Sequence, residues 1–142
     1  MRCHKDDRRS GCSISLALDI LGDRWTLLII RDLMFHAKRY YTEFLASEEK
    51  IATNILADRL KRLEDEGIVS KRRDPDNQKK FIYHLTEKGI DLLPILLEMA
   101  LWGAKYVDNT ESPKELISRL KKDRDAVIKE IMDCIRQAQR ET

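Results

Sequence analysis

Apolar residues recur along most of this 142-residue chain at the three- and four-residue intervals that place them on one face of a helix. The first such segment stops at Gly22, since glycine accepts the left-handed backbone that commonly ends a helix. Asp23 is placed to cap the second helix, and Gly67 to end the fourth. Four helices are therefore predicted in the first half of the chain: 14–21, 24–34, 41–46 and 53–66.

The spacing of apolar residues changes from helical to alternating after the fourth helix. Residues 68–73 and 79–85 have the composition of two short strands. The sequence Asp-Pro-Asp-Asn-Gln between them is typical of a turn, because these residues favour turn backbone and hydrogen-bond to it. The pattern therefore predicts a β-hairpin over residues 68–85.

Helical spacing returns after the hairpin. Thr86 is placed to cap a fifth helix that runs to about residue 106, with Trp102 on its apolar, core-facing side. Ser112-Pro113-Lys114-Glu115 combines a capping box with a proline at the first helical position. This combination predicts a last helix over residues 112–139.

The order of these elements predicts the fold. A three-helix unit followed by a two-stranded wing is a winged helix-turn-helix, and the chain has the length of one such domain. We therefore predict a mainly α fold with a small β-hairpin, in which N- and C-terminal helices form a dimer interface. The predicted single domain comprises 1–142, with a core at 12–106, the wing at 68–85 and a C-terminal dimerisation helix at 112–139.

The fourth helix carries a polar face opposite its leucines. Leu56, Leu60 and Leu63 fall on one side and are predicted to pack inward. In a helix-turn-helix the N-terminal residues of the second helix meet base edges in the major groove, where Asn suits adenine and Arg suits guanine. The residues predicted to recognise DNA are Thr53, Asn54, Asp58, Arg59, Lys61 and Arg62. The alternative is an ordinary solvated face, which the acids favour because they repel phosphates.

Positive charge is concentrated in the hairpin. Residues 68–84 contain five Lys and Arg against two Asp, a net charge of +3, whereas the whole chain carries +2. A cationic hairpin beside a recognition helix serves as a phosphate clamp or minor-groove probe, although on its own it would equally protect edge strands from aggregation. The predicted wing and backbone contacts are Lys38, Arg39, Lys71, Arg72, Arg73, Lys79 and Lys80.

The last predicted helix carries an apolar stripe. A helix of about 27 residues would be ~40 Å long, too long to bury that stripe against one small domain. The predicted dimer-interface residues are Ile14, Leu18, Leu116, Leu120, Val127 and Ile131. Packing back onto its own domain is the alternative. In a dimer, two recognition helices about 34–36 Å apart would suit a palindromic site in double-stranded DNA.

Composition and motif spacing argue against other classes of protein. The five glycines are isolated, so no phosphate-binding loop is predicted, and the three histidines lack metal-ligand or catalytic spacing. Cys3, His4 and Cys12 make at most a partial metal set without an evident fourth ligand. We therefore expect no enzymatic activity, no catalytic residues, no metal and no cofactor.

No apolar run approaches the ~20 residues needed to span a bilayer, and the first residues do not have a signal-peptide pattern. The odd number of cysteines, three, predicts no disulfide framework. A cytoplasmic protein without a membrane partner is expected.

Cys12 is a candidate redox site. It follows Arg8 and Arg9 closely and stands at the start of the first helix, and both positive charge and a helix N-terminus make a thiol more reactive. The alternative is an inert small apolar residue beneath the dimer interface.

At these residues the chain resembles the HxlR family of bacterial and archaeal winged-helix transcription regulators. The resemblance runs from residue 12 to about 103. It is carried by LALDILGDRWTLLIIRDLM, RYYTEFLASEEKIATNILADRLKRLEDEGIVSKR and FIYHLTEKGIDLLPILLEMALWG. The resemblance implies a homodimer joined by its terminal helices, operator binding through the helix near Thr53 and the wing, and often repression. It also implies sensing of electrophiles or oxidants near Cys12, as in several members.

The chain departs from the common family pattern at three positions. Ser13 stands where proline often follows the cysteine, and Lys50 and Ala52 replace the common Gly and Ser before the recognition helix. Losing that Ser leaves Thr53 as the expected helix cap.

The function predicted from the sequence is a homodimeric DNA-binding repressor, with an oxidant or small molecule as effector. A winged-helix protein-interaction adaptor without DNA binding is the competing hypothesis.

Overall fold

The computed structural model describes residues 10–142 of the chain. Within this range it has eight helices and one antiparallel hairpin: α1 Ser13–Leu21, α2 Thr26–Phe35, α3 Tyr41–Leu45, α4 Thr53–Asp65, β1 Val69–Arg73, β2 Phe81–Leu85, α5 Glu87–Ile90, α6 Leu93–Tyr106, α7 Lys114–Lys122 and α8 Arg124–Arg140. The chain divides into two compact units, of which one ends at Gly89 and the other spans Ile90–Thr142. The predicted mainly α fold with a small hairpin is confirmed.

The first unit is built on the apolar faces of its helices. In it α2 packs against β2, α3 against α4, and α4 against β1. Ile30, Leu33 and Leu56 are fully buried, and Phe44 of α3 is 1% exposed. The inward packing predicted for Leu56, Leu60 and Leu63 is confirmed, since all three are buried.

Local backbone chemistry sets the ends of the helices. The Asp23 carboxylate accepts hydrogen bonds from the backbone N–H of Trp25 (2.8 Å) and of Thr26 (3.0 Å), so α2 begins at Thr26. Gly67 has φ +73° and lies just beyond α4, as predicted. Gly22 has φ −82°, so the left-handed backbone predicted there is absent. Glycine is needed at this position for another reason: the backbone of Gly22 lies so close to the Leu18 carbonyl that a Cβ would be 2.2 Å from its oxygen.

The hairpin is a regular two-stranded ribbon. Val69 pairs with Leu85 at its base, and Arg73 pairs with Phe81 at its far end. Beyond that end, the Asp74 N–H donates to the Lys80 carbonyl over 2.9 Å and closes the connecting loop. We call residues 68–85 the wing and residues 74–80 the wing loop.

Two predicted long helices are each broken in two. The helix after Thr86 is interrupted before α6, whose first turn contains Pro94, because proline has no N–H to continue the hydrogen bonding of a preceding helix. The last helix is interrupted at Asp123, which has φ −150° and ψ 83° and caps α8 by accepting from the Ala126 N–H. The prediction of one continuous C-terminal helix is therefore wrong.

The second unit contains α6, α7 and α8, with α7 and α6 both packed against α8. The gap between the predicted fifth and last helices, near residue 110, is thus a connection inside this unit. Helix α7 starts after Pro113 without a side-chain cap, so the capping box predicted at Ser112 does not form. In the described part of the chain, residues 10–142, none of the helices is both long and apolar enough to cross a membrane.

Candidate nucleic-acid interface

Helix α4 has one buried face and one exposed face. Leu56, Leu60 and Leu63 are between 0% and 3% exposed and fasten the helix to the first unit. The side chains opposite them are accessible to solvent: Asn54, Asp58, Lys61 and Arg62. Thr53 is exposed at the N-terminal tip of the helix. Arg59, on the flank, is half-buried. Four of the six predicted recognition residues therefore share the outward side of one anchored helix, with Thr53 at its tip and Arg59 on its flank.

The acids on this face are paired with cations of the same helix. Asp65 lies 2.5 Å from the Lys61 ammonium, and Asp58 pairs with Arg59. Lys61 offsets the charge of Asp65, whereas Arg59 faces two carboxylates, Asp58 and Asp23, and offsets the charge of only one. The repulsion that disfavours DNA is therefore weaker at Asp65 than at Asp58.

Arg59 also contacts the start of α2. Its Nε lies 3.2 Å from the Asp23 carboxylate. Burial alone would raise the pKa of Asp23, but hydrogen bonds from Thr26, from two backbone N–H groups and from Arg59 lower that pKa to about 2. Asp23 is therefore ionised at neutral pH, and its carboxylate holds the Arg59 side chain of α4 against the start of α2.

Helix α4 begins without a side-chain cap. Ala52 is the N-cap residue, and Thr53 is already the first residue of the helix. The prediction that Thr53 replaces the missing serine cap is therefore wrong. Its exposed side chain is instead available beside Asn54 at the N-terminal end of the helix.

The wing presents its cations in two ways. Lys71 and Arg73 lie over the Phe81 ring at 4.6 and 4.9 Å, and Arg73 also donates to the Gln78 carbonyl over 2.6 Å. Lys80 of the wing loop is exposed and lies over the Tyr40 ring, 5.4 Å from its centre. Lys79 of the wing loop and Arg72 on β1 are exposed as well. These five exposed cations form one basic hairpin.

The two cations before α3 are held by the protein. Arg39 is only 5% exposed, and its guanidinium donates to the carbonyls of Leu33 (2.9 Å) and Lys38 (2.8 Å). Burial lowers the pKa of Arg39. Lys38 donates to Ser47 over 2.6 Å. The assignment of Arg39 as a DNA-backbone contact is therefore wrong, because its guanidinium is bound to carbonyl groups inside the domain. Lys38 has a hydrogen-bond partner within the protein, the Ser47 hydroxyl.

A buried polar network at the helix-turn-helix went unpredicted. Asp32 of α2 is 2% exposed and accepts hydrogen bonds from Arg31 (2.8 and 3.1 Å) and from Ser47. Arg31 also donates to both oxygens of Glu49, at 2.7 and 2.9 Å. The network ties α2 to the turn between α3 and α4, and so sets the position of α4. An acid within an apolar helix face was the only sequence signal for it.

Among the predicted dimer residues, those on α1 and those near the C-terminus differ in exposure. Ile14 and Leu18 are 73% and 56% exposed, as an interface requires. Leu120 and Val127 are 4% and 3% exposed, so they are not available to a second chain as predicted, because α7 and α8 pack against each other. Leu116 and Ile131 are half-buried.

Helix α6 carries an apolar stripe that was not predicted. Ile95, Met99, Trp102 and Tyr106 recur at intervals of four, three and four residues and are between 42% and 65% exposed. Trp102, predicted to be a core residue, is the most exposed of the four. We call these four residues the α6 stripe.

The two described cysteines are both free and exposed. Cys12 is the N-cap residue of α1, and its N–H donates to the Ser10 hydroxyl over 3.0 Å, while Cys134 lies on α8. Cys3 and His4 lie outside the described residues. Within residues 10–142, no group of three or more His, Cys, Asp or Glu side chains is placed to hold a metal ion.

These features define the class of protein. A helix-turn-helix whose second helix exposes a polar face, followed by a basic two-stranded wing, is a winged helix-turn-helix. Over residues 20–111 the chain matches the family of HxlR-like helix-turn-helix proteins, and it belongs to that family. It is accordingly a helix-turn-helix transcriptional regulator.

Individual relatives agree with this assignment. The chain is 37% identical over 92 residues, 65% of this chain and 84% of the relative, to the HTH-type transcriptional regulator YvaP of Bacillus subtilis (strain 168). It is similar in structure to PA1607, a transcription factor by its description, with a TM-score of 0.66 and 31% identity over 77% of this chain and 75% of that one. It is also similar to the redox regulator HypR in its oxidised form, with a TM-score of 0.60 and 32% identity over 68% of this chain and 99% of that one.

Proposed function

We propose that this protein is a homodimeric, sequence-specific DNA-binding repressor that acts in the cytoplasm on a palindromic operator. The observation that carries the proposal is the outward polar face of α4, with its acids paired, in the same compact unit as the basic wing. Lys71 of β1 lies 3.8 Å from Glu64 of α4, so the wing and the recognition helix are in contact.

The two parts of the interface have different tasks. Cations contact the DNA backbone and supply affinity, whereas contacts to base edges supply sequence choice. We assign backbone contacts to Arg72, Lys79 and Lys80 of the wing. Base contacts are assigned to Thr53 and Asn54, since the start of a recognition helix is the part that enters the major groove.

The homodimer is supported by exposed apolar side chains. Ile14 and Leu18 on α1 and the α6 stripe are the largest exposed apolar side chains of their helices in the described chain. A second copy of the chain is the proposed occupant, because a two-fold dimer presents two recognition helices to two half-sites of a palindrome. Repression would then follow from occupying a promoter.

An oxidant is the proposed effector. The similarity to the redox regulator HypR and the exposed thiol of Cys12 support this part of the proposal. Because Cys12 lies at the start of α1, which carries Ile14 and Leu18, modification of its thiol would alter the proposed dimer contact.

A mobility-shift titration tests the central claim. The wild-type protein is titrated against a duplex that it selects from a random pool, at two salt concentrations. We expect Lys79→Ala to weaken binding to all duplexes and to reduce the salt slope by about 1, and Asn54→Ala to reduce the preference for the selected duplex.

The matched control is Lys129→Ala, which removes an exposed cation from α8 and should change neither quantity. If the wild-type protein shows no salt-dependent affinity for any duplex, it is not a DNA-binding regulator, and the adaptor hypothesis replaces the proposal.

A further inference from the structure

Two adjacent tyrosines of the first unit reach the wing and the recognition helix. The Tyr40 hydroxyl donates to the Asp74 carboxylate over 2.8 Å. The Tyr41 hydroxyl donates to the backbone carbonyl of Thr53, also over 2.8 Å. Tyr40 therefore contacts the start of the wing loop, and Tyr41 contacts the first residue of α4.

Asp74 determines the shape of the wing loop. It is 7% exposed, its carboxylate accepts from the Asp76 N–H over 2.8 Å, and its own N–H donates to the Lys80 carbonyl. A side chain that holds Asp74 therefore also holds the loop from which Lys79 and Lys80 project. Tyr40 makes that contact without contributing charge.

The first turn of α4 is held by Tyr41 in a different way. Ala52, the N-cap residue, has no side chain that could accept a hydrogen bond from the first N–H groups of the helix. The Tyr41 hydroxyl does not replace that cap, since it donates to the Thr53 carbonyl, but it anchors the first turn directly next to Asn54. Moving this anchor would move the residues assigned to base contacts.

The segment that carries both tyrosines is held in place by hydrogen bonds and by one contact between aromatic rings. The Glu43 carboxylate accepts from the N–H groups of Arg39 and Tyr40, each over 3.0 Å. The Arg39 carbonyl accepts from the N–H of Tyr83 in β2 over 2.8 Å. Phe44 packs edge-on against the Tyr83 ring, with 6.1 Å between centroids. The segment from Arg39 to Phe44 is therefore fastened to β2 by one backbone hydrogen bond and one contact between aromatic rings.

We propose that Tyr40 and Tyr41 are separate positioning residues, one for the wing loop and one for the first turn of the recognition helix. Tyr40 sets the affinity that the wing contributes for any duplex, and Tyr41 sets sequence preference. This inference rests on the proposed DNA-binding function. Neither tyrosine needs to touch DNA.

Crossed double-mutant cycles test this inference. We expect Tyr40→Phe to weaken binding to every duplex about threefold to tenfold and to reduce the salt slope by about 1, although no charge is removed. In the Tyr40→Phe background, Lys79→Ala should then cost less affinity than in the wild type, since residues that act together are not additive. Asn54→Ala should cost the same in both backgrounds.

Tyr41→Phe should give the reverse pattern. The preference for the selected duplex over a scrambled one should fall, with the salt slope unchanged. This loss should overlap with that of Asn54→Ala and add fully to that of Lys79→Ala. Tyr83→Phe is the matched control, because it removes a hydroxyl from a residue that contacts the same segment without removing a hydrogen bond to the wing loop or to α4, and it should change neither quantity.

The outcomes separate this inference from the proposed function. No salt-dependent binding by the wild type would defeat the proposed function itself. Normal wild-type binding with additive effects in both cycles, or a Tyr83→Phe effect equal to that of Tyr40→Phe, would overturn the positioning roles alone. Should Tyr40→Phe unfold in a thermal melt, Asp74→Asn replaces it in the double-mutant cycle with Lys79→Ala only, because this change also removes a negative charge from the wing and so alters the salt slope by itself.

Discussion

Single side chains in the interface differ in how strongly the protein holds them. Asn54 and Lys79 are exposed, whereas Arg39 has its charge bound inside the first unit. A cation that donates to buried carbonyls stabilises the loop that it crosses. Exposure and partners, rather than charge alone, therefore decide which residue is available to DNA.

Lys50 has a backbone that glycine would adopt more easily. It lies between α3 and α4 with φ +58°, a left-handed conformation that costs a residue with a Cβ roughly 1–2 kcal/mol. We expect Lys50→Gly to raise the free energy of unfolding by about 0.5–1 kcal/mol, after the greater entropy of glycine in the unfolded chain is deducted. Urea denaturation measures the change. Glu48→Gly in the same turn, where φ is not positive, should destabilise; stabilisation by both changes would contradict the backbone explanation.

Cys12 should confer sensitivity to oxidants. Treating the wild-type protein with hydrogen peroxide is expected to lower its affinity for the selected duplex more than threefold, because the modified thiol lies at the start of α1. Cys12→Ser should remove this response in a mobility-shift titration, and Cys134→Ser, on α8, should retain it. A Cys12→Ser variant that responds like the wild type would show that the sensor is elsewhere.

At the level of the helices and strands, several hydrogen bonds and ion pairs fix the turn between α3 and α4 to α2. Burial alone would raise the pKa of Asp32, but hydrogen bonds from Ser47 and Arg31 lower it below its ordinary value. Hydrogen bonds from Arg31 lower the pKa of Glu49 to about 2. Both carboxylates are therefore ionised at neutral pH while they accept these hydrogen bonds.

Acid should weaken this turn. The pKa of Glu49 is lower in the folded chain than its ordinary value of 4.5, so its contribution to stability is complete above that pH and is lost as the pH falls towards 2. We expect the urea midpoint of the wild type to fall across this window and that of Glu49→Gln to fall less. Glu48→Gln, which removes a neighbouring exposed carboxylate, should follow the wild type. Parallel curves for all three proteins would remove Glu49 from the explanation.

For the molecule as a whole, the proposed dimer would connect the second unit to the proposed DNA binding. One small winged helix buries modest surface on DNA, so a second copy is needed for tight binding. The α6 stripe and the exposed residues of α1 provide apolar surface on both units. The stripe replaces Leu120 and Val127 as the interface that we propose for the C-terminal half.

A charge within the α6 stripe should separate the copies. Met99→Glu introduces a carboxylate among Ile95, Trp102 and their neighbours, where a dimer would desolvate it. We expect light scattering to show a shift from dimer to monomer, and the affinity for a palindromic duplex to fall at least tenfold. Lys129→Gln makes the same change of charge on α8 and should remain dimeric. A dimeric Met99→Glu protein would exclude the stripe from the interface.

Much of the architecture was predictable because it depends on neighbours in the chain. The strands at 69–73 and 81–85 lie within the predicted ones, since a change from helical to alternating spacing is a local signal. The start of α4 at Thr53 also matched the prediction, because the helical spacing of apolar residues is likewise a local signal. The errors at Asp123 and at Ser112 concern single backbone positions, where several caps compete with similar free energies.

The interface was predictable only in outline. The spacing of Leu56, Leu60 and Leu63 was enough to orient α4, so its outward residues followed without coordinates. The hydrogen bond from Tyr40 to Asp74 joins residues that are distant in the chain. The binding of Arg39 to buried carbonyls and the exposure of Trp102 depend on where whole helices pack. Periodicity records which side of an element is apolar, but long-range contacts determine which polar groups remain free and which apolar faces stay uncovered.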